Sequence, residues 1–309
     1  MALDSALITR LRTLGAALET TTGTPAALTS ASTAMTVYNP TIEAQIPPGE
    51  REMQGSLSPL APVPGAQSGT AKFQSEVTGT GTVGSYPQWA STLLLACGFQ
   101  SAVAGAYTPL SGAGQTATVG LYTAGRFSQI AGAMGKVSFD FKSGEIVKSN
   151  WEFQGVWQPP SETPLVQPTL LAVSPPIFAG GAFTLGGTSY RITGGTLNVE
   201  NTLAMREDAT LATGFYGACI VNRKITFEMD LEAQSLAVQN WFTGHMAADK
   251  YILSLAVGAT AGNIVTFTAP ALQILDAPDE MDVKGIQYDK LTFVHTGTAV
   301  DNELSIDFS

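Results

Sequence analysis

The chain is poor in the residues on which most enzymes and metal proteins depend. Its 309 residues hold two cysteines and two histidines. Cys97 and Cys219 lie too far apart in sequence for a metal-ligand spacing and are too few for a disulfide framework, so both are expected as buried free thiols. Neither His245 nor His295 has a serine or cysteine nucleophile context beside it. Charge is scarce as well, at 13% of residues, and acids outnumber bases to give −10. That balance opposes nucleic-acid binding, where lysine and arginine must replace phosphate counterions. No apolar run approaches the ~20 residues of a membrane span. The opening Met1-Ala2-Leu3-Asp4 puts an acid where a secretion signal needs bases, so synthesis in a cytoplasm is expected.

What the chain has is 32 glycines, abundant threonine and short stretches that alternate apolar with polar, the pattern of half-buried β-strands. Lys72 to Val77 is the clearest, with Phe73, Ser75 and Val77 on one face and Lys72, Gln74 and Glu76 on the other. Gly79, Gly81 and Gly84 then spell G-x-G-x-x-G ahead of a predicted helix with Ser85 as N-cap, Pro87 in its first turn and Gly98 as its stop. A dinucleotide reading of this turn fails on two counts. The preceding strand alternates instead of running apolar, and no Asp or Glu occurs between Glu76 and Asp140 to hold a ribose. The acid pairs Glu207-Asp208 and Asp279-Glu280 read as solvated turn residues. Asp276 to Asp282 lacks calcium-loop spacing and reads as a hairpin tip. Trp151, Phe153 and Trp157 could form a sugar platform, although a core-facing strand accounts for the first two. No catalytic residue, cofactor or metal is therefore expected.

The second half repeats the order of the first. Lys224 to Leu231 alternates, with Thr226, Glu228 and Asp230 on its polar face, and a helix over Gln234 to Phe242, stopping at Gly244, is predicted to follow. Val137–Phe141 answers to Ala271–Leu275, and Trp151–Gly155 to Leu291–His295. The period is too long for a solenoid and implies two copies of one domain. The expected organisation is an N-terminal helix and linker arm over residues 1–30, a first domain at 31–158, a Pro-rich linker at 159–176 and a second domain at 177–309. The helix rests on Leu7, Leu11, Leu14 and Leu18, spaced four and three apart; it would dock on its own domain or on a neighbour. Asn39 to Thr70 is broken by prolines and reads as a long arm, with Pro47, Pro48, Arg51 and Glu52 as candidate contacts to neighbouring subunits. Val199 to Asn222 holds the matching arm, with Arg206, Glu207 and Asp208.

Taken as an ordered set, several of these stretches resemble the tail tube proteins of bacteriophages with long non-contractile tails, in the version with two tube domains on one chain. The carriers are Leu18 leading into Glu19-Thr20-Thr21-Thr22-Gly23-Thr24-Pro25, Pro87-Gln88-Trp89 with Leu94-Leu95-Ala96-Cys97-Gly98-Phe99, Tyr107-Thr108-Pro109, Gly132 to Phe139, and Phe153-Gln154-Gly155-Val156-Trp157. The resemblance implies a mostly β fold, two tandem antiparallel β-sandwich or barrel domains, each with a flanking α-helix. It implies trimeric rings of pseudo-sixfold symmetry stacked into a hollow conduit for the genome, with no enzymatic activity. Partners would be other copies of the chain, the tape-measure, tail-tip and tail-terminator proteins, and double-stranded DNA passing without specific binding; no membrane insertion is implied. Gln74, Glu76, Thr226, Glu228 and Asp230 are then candidates for the lumen face, the alternative being that this face meets outside solvent. A receptor- or carbohydrate-binding β protein of a virion is the other reading of the whole chain.

Overall fold

A computed structural model describes residues 10–309, apart from 56–57, 59, 102–104, 113 and 170. The first half contains β1 (Arg12–Leu18), a 3-10 turn (Ser30–Thr33), β2 (Val37–Gln45), β3 (Pro48–Gly49), β4 (Val63–Pro64), β5 (Ser68–Glu76) and a π-helix (Trp89–Leu94). It continues with β6 (Phe99–Ser101), β7 (Tyr107–Pro109), β8 (Ala117–Thr123), β9 (Arg126–Lys142) and β10 (Lys148–Glu162). The second half contains β11 (Phe183–Leu185), β12 (Ile192–Glu207), β13 (Phe215–Glu232), α1 (Trp241–Ala247), β14 (Lys250–Val257), β15 (Val265–Ile274), β16 (Asp279–Val283), β17 (Ile286–His295) and β18 (Ser305–Phe308). The fold is mostly β and its pairings are antiparallel.

One set of pairings occurs twice. β1 pairs β8, β8 pairs β9, β9 pairs β10, β10 pairs β5 and β5 pairs β2. In the second half β11 pairs β14, β14 pairs β15, β17 pairs both β15 and β16, and β13 pairs β17 and β12. The counterpart of β9 is thus interrupted at Leu275–Pro278 and supplied by β15 and β16 together. The two sets are fused, because β12 adds to β9 with Thr196 opposite Asp140 and Leu197 opposite Phe139. The C-terminal β18 also crosses over, pairing β15 on one side and β7 of the first half on the other.

A shared core follows from that fusion. Phe139 and Phe141 of β9 pack on Phe267 of β15 at 5.1 and 5.4 Å between ring centres, and Phe141 also meets Phe227 and Phe178. Trp151 is buried, and its indole N–H donates to the hydroxyls of Ser75 and Ser149 at 2.9 Å. Such pairing is what allows an indole to sit in a core.

Several expectations are corrected. Arg12–Leu18 is a strand and not the end of a helix; Ser5 to Thr9 lie outside the described residues. Thr13 to Ala16 are all buried, because β1 is covered on both faces, and such a strand loses the alternation that would mark it. Glu19 to Pro25 is no free linker. The Glu19 carboxylate accepts hydrogen bonds from Gly23 N, Thr116 Oγ1, Thr118 Oγ1 and Gly132 N at 2.7 to 2.9 Å. Part of the predicted Pro-rich linker is strand, since Ser161 and Glu162 still pair with Phe127 and Arg126 of β9. The first helix begins later than Ser85, with Gln88 as its N-terminal flank, and closes at Gly98 with φ of +78°. The second is shorter than predicted: Ser235 to Gln239 is a turn, Asn240 caps by accepting from Thr243 N, and α1 runs through Gly244 to stop at Ala248. Gly244 is there for packing, since a Cβ would stand 2.1 Å from the Tyr251 hydroxyl. The acid-rich stretch read as a hairpin tip is edge strand β16; the tip is Lys284-Gly285.

Candidate functional site

Eight strands lie side by side in the order β2, β5, β10, β9, β12, β13, β17, β16, alternating in direction throughout. One face of this sheet covers the core; the other is polar across both halves, as the period of two requires. Gln74 Nε2 donates to Asn150 Oδ1 at 2.8 Å, and Asn150 Nδ2 donates to Ser138 Oγ and Asp140 Oδ2. Thr196 Oγ1 continues the row to Asp140 across the junction between halves. Lys72 and Lys136 flank Glu152 at 3.5 and 3.4 Å, and Lys290 lies 3.4 Å from Glu228.

All five residues proposed for the lumen stand on this sheet. Gln74, Glu76, Glu228 and Asp230 are half-buried, while Thr226 is buried at 6% exposure. Glu76 accepts from the Tyr38 hydroxyl at 2.5 Å, which pushes the phenol up to about 12. Burial raises the Asp230 carboxyl, with Lys290 opposing and Glu228 adding to the shift. Lysines interleave the acids and pair with Glu152 and Glu228, whereas Glu76, Asp140 and Asp230 have no cation within ion-pair distance among the described residues. A depression of 410 Å³ on this face is lined by Lys72, Gln74, Lys136, Asn150, Glu152, Glu200 and neighbours, and Lys72 and Lys136 in it are already paired with Glu152.

The two arms come together at one end. Gln67 N, at the base of the first, donates to Thr213 O of the second, and a Cβ at Gly214 would meet Ala66 at 2.9 Å. Pro48 pairs with Pro64 in the β3–β4 hairpin, Pro47 O accepts from Gly65 N, and Arg51 O accepts from Leu60 N, leaving these side chains and Glu52 exposed. Arg206 stacks over Tyr216 at 4.7 Å, Glu207 is exposed, and Asp208 is held below the usual carboxylate range by hydrogen bonds from Thr210.

Features that suggested chemistry have other work. Gly79 N donates to Asn263 Oδ1 and Gly81 N to Gly262 O, so the backbone groups a phosphate would need are occupied. A Cβ at Gly79 would stand 2.1 Å from Gly262 O: glycine is required there by the close approach of the second half. Trp151, Phe153 and Trp157 are buried and present no platform for a sugar. Cys97 is buried, which pushes its thiol up, whereas Cys219 is only half-buried and donates to Ala204 O at 3.5 Å; neither is in a disulfide. His295 is buried, with Nδ1 on Glu303 O, and His245 on α1 directs Nδ1 to Ile274 O, so each ring is bonded to backbone. Among the described residues no group of three or more potential ligands could hold a metal, and no helix is long and apolar enough to cross a membrane.

Sequence reasoning missed the open ends of this eight-strand order. β2 pairs only β5, and β16 pairs only β17, so each leaves one side of its backbone unpaired among the described residues. The acids of β16 and Pro40 of β2 are the signals that could have marked them, because charge and proline are typical of exposed edges. A sheet with two open, direction-matched edges and one polar face can add further copies of itself. A comparison with curated proteins returned no match. The family model of the phage tail tube protein matches residues 9–308, nearly the whole chain, and the chain therefore belongs to that family of structural proteins of the bacteriophage tail.

Proposed function

We propose that three copies of this chain close their eight-stranded sheets into one cylinder, polar face inward, and that such rings stack into the conduit through which the genome leaves. The observation that carries this is the junction inside the chain. β9 and β12 pair across the two halves, and their counterparts, β16 and β2, are the two strands that end the eight-strand order. β16 and β2 also run in opposite senses, so the next copy adds antiparallel as β12 does to β9. Each half then acts as one tube domain, which gives a trimer pseudo-sixfold character. The adjoining arms at one end supply the axial contact between rings. Copies at the ends of the tube would meet tail-tip and tail-terminator proteins, and the lumen would hold the tape-measure protein before DNA.

The internal junction also fixes a register. Ile42 lies opposite Ala71, and Ala71 opposite Phe153; Leu197 lies opposite Phe227, and Phe227 opposite Phe293. Asp140 faces Lys148 as Met281 faces Tyr288. The pairing of Asp140 with Thr196 therefore becomes Met281 of one copy with Thr41 of the next. A Thr41→Cys, Met281→Cys chain in a Cys219→Ser background should, on oxidation at high concentration, give a covalent ladder that stops at three. A ladder that continues, or no ladder at all, would count against ring closure.

A further inference from the structure

The internal junction is sealed on its core side by aromatic packing. Phe141 of β9 faces Gly195 of β12 and stacks at 5.6 Å on Phe178, which stands just ahead of β11. In the register above, the residue that replaces Phe141 is Asp282, and the residue opposite it on the next copy is Pro40. Pro40 has no N–H to offer, but its carbonyl is already touched by a cation: Arg12 Nη1 donates to Pro40 O at 3.3 Å. Arg12 opens β1, the counterpart of β11, and lies nearly as far ahead of that strand's end as Phe178 does of its own. Two separate correspondences, strand register and strand order, thus bring the same two side chains together.

Both are exposed and free for a partner. Among the described residues Arg12 has no carboxylate within ion-pair distance, and Asp282 accepts only the turn amide of Gly285 at 3.2 Å. Other charges at this edge are Glu280, which falls opposite Ile42, and Asp279, which falls opposite Glu43 on the polar side and adds a like-charged pair.

We propose that Asp282 of one copy pairs with Arg12 of the next, and that this ion pair takes the place in the ring junction that Phe141 and Phe178 hold inside the chain. The proposal rests on the ring reading and specifies its contact. Its physical logic is that of an edge that must stay open in the free subunit. Two exposed phenylalanines on an unpaired strand would promote indiscriminate pairing, whereas two opposite charges keep each subunit soluble and still select the correct partner edge.

The test is a charge swap in the full chain, read by sedimentation velocity and negative-stain microscopy over a concentration series, with circular dichroism to verify folding. Arg12→Asp and Asp282→Arg alone should each raise the concentration needed for rings about tenfold, equivalent to about 1.4 kcal/mol per junction. The double variant should return to within about threefold of the parent, on the same scale of roughly tenfold per 1.4 kcal/mol. Arg12→Lys with Asp282→Glu should assemble at nearly the parental threshold. A double variant no better than the singles, or singles at the parental threshold, overturns the ion pair while leaving rings of the parent chain intact. If the parent forms neither rings nor the cysteine-linked trimer, ring closure fails and the ion pair falls with it.

Discussion

His295 shows how much of this fold depends on keeping a polar side chain uncharged. Its Nδ1 donates to Glu303 O at 3.1 Å, its Nε2 finds no partner among the described residues, and burial lowers the imidazolium to about 4. The unfolded chain takes up this proton near pH 6.5 and the folded chain only near 4, so stability is complete above 6.5 and is lost as pH falls through that window. The loss by pH 4 is about 3 kcal/mol, since each pH step of one between those two values removes about 1.4 kcal/mol. Urea melts between pH 7 and 4 check this: His295→Gln, which cannot charge, should flatten the slope there, and an unchanged slope would assign it to other groups. Asn201 is a second buried polar residue, and its side-chain N–H groups donate to Cys97 O and Gly135 O at 2.8 Å, tying β12 to the first half. Asn201→Ala leaves two buried carbonyls unpaired and should cost about 2–3 kcal/mol in a thermal or urea melt. Neither role was visible in sequence, because nothing local distinguishes a buried Asn or His from a solvated one.

At the scale of elements, what could be read were the strands with one wet face. Lys72–Val77, Lys224–Leu231 and Val137–Phe141 alternate because their polar side chains point off the sheet, and each is a strand where it was expected. β1 departs from alternation because both its faces are dry: Gly15 lies against Thr33 and Leu28 on one side of the sheet, and Leu14 and Ala16 are buried in the core on the other. The leucine spacing that suggested a helix was a coincidence of period. The glycine turn at Gly79 reads in sequence only as a rejected dinucleotide motif, since its structural reason lies 184 residues away at Asn263. Gly79→Ala should force the turn off the Gly262 carbonyl and loosen the docking of the two halves. Hydrogen exchange should show faster amides at Gly79, Gly81 and Gly262 while those of β10 stay protected; unchanged protection would show that the backbone relaxes at no cost.

For the whole molecule the decisive property is the continuity of the polar face across both halves, and in the proposed ring its consequence for passing DNA would be electrostatic. In that ring, lysines match the acids at Glu152 and Glu228 while Glu76, Asp140 and Asp230 stay unmatched, so such a wall would carry no excess of cations to hold phosphate. Mobility of the genome then depends on that balance and not on acidity alone. Glu228→Lys with Asp230→Lys would remove two of the acids beside Lys290, leaving Asp279 opposite it and Glu200 opposite Lys224, and would reverse the local charge of the wall in every subunit. Each added cation displaces counterions from DNA, so retention should be strongest in dilute salt and fade as screening shortens to about 8 Å near 0.15 M. Virions carrying both changes should assemble tails of normal length yet eject DNA more slowly at low ionic strength, by about the factor of ten that 1.4 kcal/mol represents. Recovery of the normal rate at high salt would identify the cause as charge. Normal ejection at every salt concentration would mean that the polar face looks outward, and the candidate lumen residues would have to be sought elsewhere on the sheet.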